Sequence, residues 1–130
     1  MAYLNDRVLD NGLTVLDTEA DRLYLCNNSL SVANATPPTY TEATSTYACG
    51  NKTGISIGAP ADGASNGRRV TVGAITGGNI SATDTAYKWA LVDSSNSRVL
   101  AAGTLSASQA VTSGNTFSLA AFDITLPDPA

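Results

Sequence analysis

Histidine is absent from the sequence, and tryptophan, methionine and cysteine are scarce. Its 130 residues include no histidine, one tryptophan, one methionine and two cysteines, and only 14% are charged. Histidine is the usual general acid or base near neutral pH and the usual activating partner of a nucleophile. Without it, and with acidic residues scattered, the sequence predicts a protein that is not an enzyme and needs no metal or cofactor.

The charge balance is acidic and sparse. The net charge is −4, the isoelectric point is about 4.4, and Lys and Arg together number seven. Proteins that bind nucleic acid or anionic membranes need basic residues to neutralise phosphate. No apolar run approaches the roughly 20 residues of a membrane span. We therefore expect neither a nucleic-acid partner nor a membrane partner.

The first residues and the two cysteines indicate the compartment. MAYLNDR has neither the basic nor the apolar region of a signal peptide, so we expect synthesis in a cytoplasm. Disulfides are rare in that compartment. Cys26 and Cys49 are therefore expected to be free, buried thiols, although a bridge between them remains open.

The first fifty residues combine helical and extended patterns. Leucine and valine recur with helical spacing over 4–16, with Asn5 or Asp6 as the cap, and 17–21 is a polar break before a short strand at 22–26. A loop follows over 27–38. Thr39 and Glu42 then have the spacing of a capping box, which predicts a helix over 40–49 that stops at Gly50.

From Lys52 onward the hydrophobic period changes to two. Turn residues separate six predicted strands, at 54–57, 68–75, 79–83, 86–93, 98–105 and 116–126. The predicted turns are 60–63, 65–67, 77–78, 94–97 and 113–115. Alternation predicts three inward faces: Tyr87, Trp89 and Leu91; Val70, Val72 and Ala74; and Phe122, Ile124 and Leu126.

These patterns predict a mainly β fold. We expect one domain over 1–130, an antiparallel β-sandwich or small barrel with one or two short helices in the N-terminal third. Within it, 1–50 is partly helical, 52–126 is β-rich and 127–130 is an extended tail that two prolines keep out of strand pairing.

Two motifs that suggest chemistry are incomplete. Acidic residues at 17, 19 and 21 resemble the start of a calcium loop, but Arg22 and Asn28 stand where glycine and glutamate are required. Lys88 is expected on the outward face of the Trp89 strand. The glycines at 77–78 lack the lysine of a phosphate loop and are interpreted as a turn.

Three segments carry a resemblance to a known group of proteins. They are TYTEATSTYA at 39–48 with GNKT at 50–53, WALVD at 89–93, and FDITLPDP at 122–129. The likeness extends from about Asp17 to the end of the chain. Together these segments resemble small structural proteins of tailed-bacteriophage particles.

The resemblance implies a place in the virion. The role that we favour is a head decoration (cement) protein on the capsid surface, bound to the major capsid protein and to copies of itself in a trimer. Two alternatives stay open: a tail, neck or fibre-base component, and a receptor- or glycan-binding module. The candidate capsid or subunit contacts are Met1, Ala2, Tyr3, Arg68, Arg69, Pro127, Asp128 and Pro129.

Overall fold

Strands dominate the fold, as the sequence predicts. The computed structural model describes residues 3–4, 12–63 and 67–126. Strands make up 54% and helices 12%, which confirms the mainly β fold class. The strands are β1 (Tyr3–Leu4), β2 (Arg22–Cys26), β3 (Ala48–Thr53), β4 (Ala61–Asp62), β5 (Arg68–Val72), β6 (Ile75–Ile80), β7 (Asp84–Asp93), β8 (Arg98–Val111), β9 (Thr116–Leu119) and β10 (Phe122–Leu126). The helical segments are α1 (Thr14–Glu19) and a π-helical turn (Glu42–Thr46).

The strands form two antiparallel sheets. The larger sheet has the order β1-β8-β7-β2-β3-β6-β9 and curls into a half-barrel, and the smaller one has the order β10-β5-β4. Because β9 and β10 follow each other along the chain, residues 120–121 carry it from the larger sheet to the smaller. The predicted strand over 116–126 is therefore two strands.

The large sheet is buried on both faces near its centre. Alternate residues of β2 point to opposite sides, with Leu23 and Leu25 in one apolar cluster and Tyr24 and Cys26 in another. The first cluster lies beneath α1 and the small sheet. The second lies beneath the π-helical turn and the loop before it, which contributes Leu30. A strand buried on both faces is continuously apolar, as LYLC is.

The helix predicted over 4–16 is interrupted at Gly12, and 5–11 lie outside the described residues. Gly12 has a φ of 81°, in the left-handed region, so a right-handed helix cannot continue through it. The helix α1 begins at Thr14 and includes most of the predicted polar break, while Leu4 lies in β1. The proposed caps Asn5 and Asp6 lie outside the described residues.

The capping box at the π-helical turn is confirmed. The amide of Thr39 donates to Glu42 Oε1 over 2.9 Å, and the amide of Glu42 donates to Thr39 Oγ1 over 3.1 Å. The predicted end of this helix was wrong, because β3 already begins at Ala48. Gly50 lies inside that strand, where a Cβ would collide with the main-chain oxygen of Asn79. Its role is close packing rather than helix termination.

Several strand and turn boundaries differ from the prediction. Residues 54–57 form no strand; Gly54 has a φ of 64°, and Ile57 makes one isolated bridge to Val72. The glycines at 77–78 lie inside β6 rather than in a turn, because Gly78 leaves the space that the Phe117 ring fills. Within the predicted turn 60–63, two residues form β4. Most of the predicted turn 65–67 lies outside the described residues, whereas 94–97 and 113–115 are turns.

Two predicted core residues are exposed. Tyr87 is 38% exposed and Ala74 is also on the surface, while Leu91, Val70, Val72 and Ile124 are buried. Tyr87 is exposed because the pairing of β7 with β8 is irregular at this point. Ala86 lies opposite Gln109, whereas Lys88 lies opposite Thr104. The alternation of inward and outward side chains is therefore interrupted at Tyr87.

Candidate functional site

A cleft lies between β8 and β9. These strands follow each other along the chain and run antiparallel, yet β9 pairs with β6 and β8 pairs with β7. Most consecutive strands in a sheet pair or lie next to each other. Here they diverge, and the space between them is the open seam of the half-barrel.

The turn over 112–115 closes one end of this cleft. The amide of Gly114 donates to the oxygen of Ile80 and the amide of Ile80 donates to the oxygen of Asn115, each over 2.9 Å. The amide of Ser113 donates to Thr83 Oγ1 over 3.0 Å. Gly114 has a φ of 89°, a conformation that favours glycine. These bonds attach the turn to β6 and hold β9 away from β8.

The cleft has a larger part and a smaller part, which are called here its wide and its narrow end. Its wide part has a volume of about 480 Å³, between 103–109 of β8 and 118–123 of β9 and β10. Its narrow part, near the turn, has a volume of about 350 Å³. Gln109 and Ser118 line both parts, so the two parts adjoin at these residues. Consecutive residues line it, as expected for strand edges rather than for one face of a sheet.

An aromatic pair forms part of the wide end. The ring centroids of Trp89 and Phe122 are 4.8 Å apart and the ring planes are inclined at 47°. Gly103 lies opposite Trp89 on the neighbouring strand, and a Cβ there would approach Trp89 Cζ2 to 2.6 Å. The indole therefore needs a glycine beside it. Trp89 is partly buried and packs against the core, in agreement with its predicted inward-facing position.

Charge is nearly absent from the cleft. Among the described residues that line its two parts, Asp123 is the one with a charged side chain. Thr71 Oγ1 donates to it over 2.6 Å and Arg69 Nη1 donates over 2.9 Å. The Thr71 hydroxyl, followed by Arg69, holds the pKa of Asp123 below its usual range. The carboxylate stays ionised and is already paired.

The two cysteines are free and buried, as predicted. Burial, with a smaller contribution from Cys49, raises the pKa of Cys26 to about 12. Burial, followed by the charge of Asp84, raises the pKa of Cys49 to about 11. Both groups are therefore protonated at neutral pH, and a protonated thiol is a poor nucleophile and metal ligand.

The remaining polar side chains with suggested chemistry have structural roles. Lys88 was predicted to face outward, but it is half-buried and its Nζ donates to the oxygen of Leu30 over 3.0 Å. Asp21 accepts bonds from the amide and the hydroxyl of Ser94. Burial opposes ionisation of Asp21, but the Ser94 bonds outweigh it, so the pKa is lowered. In the described part of the chain, no three His, Cys, Asp or Glu residues come together as a metal site.

The structure places three of the eight predicted contact residues within its described range. Arg68 Nη1 binds Asp62 Oδ1 over 2.7 Å and Arg68 Nη2 donates to the oxygen of Pro60 over 3.2 Å. Arg69 binds Asp123 instead, so the adjacent arginines have different partners on the small sheet. Tyr3 lies in β1, opposite Ala102 of β8. Met1, Ala2, Pro127, Asp128 and Pro129 lie outside the described residues.

No pattern in the sequence predicted the cleft. A signal for it is present, since residues 99–122 contain no charged residue and no proline. Such a stretch in an acidic chain indicates either burial or a contact surface, but only the topology shows that β8 and β9 diverge.

Comparisons of the chain with protein-family models, with curated proteins and with solved structures gave no match. None of the helices in the described part of the chain has the length and apolarity that a membrane crossing requires.

Proposed function

We propose that this chain is a structural protein of a tailed-phage particle, and specifically a decoration (cement) protein on the outside of the head. The resemblance at 39–53, 89–93 and 122–129 supplies the class of particle. The observation that carries a binding role is the neutral cleft between β8 and β9. Its walls offer strand edges and small side chains, which suit contacts with other proteins.

Binding energy is the mechanism of such a protein. A cement protein bridges neighbouring capsid subunits and opposes the outward pressure of packaged DNA. A single weak contact suffices, because many copies, joined in an oligomer, act together and multiply the affinity. The surface of Ala, Ser, Thr and Gly residues permits close approach of flat surfaces.

The arginines of the small sheet are proposed as secondary contacts. The side chain of Arg68 is 56% exposed and that of Arg69 is 36% exposed, so both remain accessible although each has an acidic partner. An exposed ion pair contributes little to stability, on the order of 0–1 kcal/mol. If Arg68 or Arg69 exchanges its acidic partner for an acidic residue on a capsid subunit, the protein therefore loses little folding stability.

The C-terminal residues 127–130 are the other proposed contact. Pro-Asp-Pro-Ala cannot continue a strand ladder, which suits an arm that reaches a neighbouring subunit. Deletion of these four residues should weaken capsid binding and leave the unfolding midpoint of the protein unchanged. Unchanged capsid binding would exclude the arm.

Electron microscopy of reconstituted particles tests the proposal. Purified protein is mixed with expanded capsids that lack it, and the position of added density is determined. Density repeated over the shell supports decoration. Density confined to the portal vertex or tail would replace this role with that of a neck, tail or fibre-base component, and no added density anywhere would refute both.

A glycan-binding role is a second candidate because Trp89 and Phe122 line the wide end of the cleft. Aromatic rings in a groove are common in sugar sites, but only 6% of the residues are aromatic and Trp89 is partly buried. A glycan array separates the two candidates. Specific binding that Phe122→Ala abolishes, together with no capsid density, would favour the glycan-binding role.

A further inference from the structure

We infer that the cleft between β8 and β9 binds an extended, uncharged segment of a partner protein, which joins the large sheet as an added strand alongside β8. This binding mode does not depend on the phage assignment, because it follows from the sheet edges and their charge.

The outer edge of β8 already accepts one strand. Tyr3 and Leu4 of β1 lie antiparallel to it, opposite Ala102 and Ala101. Beyond Gly103, the described residues place no strand on this edge as far as Val111. Unpaired main-chain N–H and C=O groups in such a row are the template for strand addition.

A bulge increases the free main chain of β8. Lys88 lies opposite Thr104 and Ala86 lies opposite Gln109, so residues 105–108 have no strand partner on β7. Within the described residues they also lack one on the outer edge. Residues 105–108 therefore have no strand partner on either edge among the described residues, and alternate residues of this stretch direct their N–H and C=O groups toward an incoming segment on the outer edge.

A second free edge faces the same space. β9 pairs with β6 on one side and, among the described strands, with none on the other. A segment between the two edges lies antiparallel to β8 and parallel to β9, since those strands are antiparallel to each other. Mixed pairing of this kind is common in sheets.

The charge of the cleft selects the partner. Residues 99–122 are uncharged, and the carboxylate of Asp123 is occupied by Arg69 and Thr71. A charged side chain on the incoming segment would lose water without gaining a partner. Small side chains such as Ser106, Ala107 and Ala120 line the wide end and leave room for β-branched residues.

Two segments of the chain itself are poor occupants. The segment LPDPA at 126–130 includes two prolines, which lack a main-chain donor, and an aspartate, which carries a charge. The uncharged stretch 99–122 of a second copy forms that copy's own cleft walls. These two segments are therefore excluded, and the proposed occupant is a segment of a different protein.

A peptide titration followed by hydrogen exchange tests this inference. The probe is the acetylated, amidated pentapeptide Thr-Val-Ser-Val-Thr at millimolar concentration, added to the full-length ¹⁵N-labelled protein. The matched control peptide carries proline at its centre, which removes a main-chain donor. With the probe at ten times its Kd, exchange of those amides in 105–108 that face the outer edge should slow by about tenfold.

Paired variants locate the effect. Ser106→Lys places a charge at the free edge, whereas Ser95→Lys places one in the distant turn after β7. Strand addition in the cleft is supported if the probe peptide slows exchange and the proline peptide does not. The slowing should also be lost in Ser106→Lys and retained in Ser95→Lys. Equal unfolding midpoints for the two variants show that Ser106→Lys has not simply unfolded the strand.

Three results would overturn the inference. They are no slowing at 105–108, equal slowing by the proline control, and slowing by maltohexaose but not by the peptide. The last result would assign the cleft to a glycan. None of them depends on capsids, so failure here is distinguishable from failure of the cement role.

Discussion

The two halves of β8 differ although they belong to one continuous strand. From Val99 to Ala102 the strand is buried on both faces, with β7 on one edge and β1 on part of the other. From Thr104 to Ala110 it is exposed except at Leu105, which is partly buried. The comparison shows that β8 extends beyond the layers that cover its first half and beyond the strand that covers its outer edge.

The composition of the second half departs from that of a protected edge. Natural sheets protect exposed edges with charged residues, proline or very short strands. The sequence TLSASQA at 104–110 has no charged residue and no proline, and the strand is long. An unprotected edge of this kind fits a surface that a partner covers. Substitutions in the two halves of β8 should therefore differ in their effect on the free energy of unfolding.

The largest expected effect distinguishes two leucines of β8. Leu100 is fully buried, so Leu100→Ala should destabilise the protein by about 2–5 kcal/mol through lost burial and a cavity. Leu105→Ala removes the same atoms at a partly buried position and should cost about 1 kcal/mol or less. Urea unfolding of both variants measures the difference. Equal losses would contradict the division of the strand.

The boundary between the halves lies at Gly103. Gly103→Ala should destabilise by about 1–3 kcal/mol because the new methyl group displaces the Trp89 indole. Gly58→Ala is the control, since its Cβ would meet Thr71 O at 3.9 Å. The measurements are the unfolding free energy and tryptophan fluorescence. An unchanged emission spectrum in Gly103→Ala would contradict the packing of Trp89 on β8.

The π-helical turn and the loop before it cover one face of the large sheet, and the capping box stabilises this layer. Thr39→Ala should cost about 1 kcal/mol, because the amide of Glu42 loses its acceptor. Ser45→Ala, at an exposed position in the same helical turn, is the matched control. Thermal unfolding monitored by circular dichroism measures both. If both variants melt at the same temperature, the cap makes no contribution to this layer.

The smallest expected effect is a dependence on acid pH at the wide end of the cleft. The pKa of Asp123 is lowered in the folded protein, so its contribution is present above the unfolded value of about 3.9 and is lost as the pH falls through the lower folded value. Asp123→Asn should reduce the loss of stability below about pH 4. Unfolding midpoints measured from pH 2 to 7 test this, and a profile identical to that of the native protein would refute it.

Local signals predicted much of the fold. The apolar run at 22–26 gave β2 with correct bounds, and the Thr39 and Glu42 spacing gave the capping box. Both depend on contacts within a few residues. A continuous helix over 4–16 is wrong because Gly12 adopts a positive φ, which the spacing of leucine and valine does not show.

The candidate site depends on contacts distant in sequence. β9 leaves β8 because the 113–115 turn binds Ile80 and Thr83, and Thr83 lies 30 residues before its partner Ser113. Tyr87 is exposed because of a bulge in a partner strand. Neither the periodicity of a strand nor its turn residues contain that information. The uncharged stretch 99–122 was visible in the sequence, but its position at an open seam was not.

Amide hydrogen exchange along β8 of the purified protein tests the central claim most directly. Amides of Leu100, Ala101 and Ala102 should exchange only through global unfolding, whereas those at 105–108 should exchange about a thousandfold faster or more, as unpaired amides do. Uniform slow exchange from Leu100 to Val111 would show that the outer edge of β8 is already covered, and would contradict an open cleft.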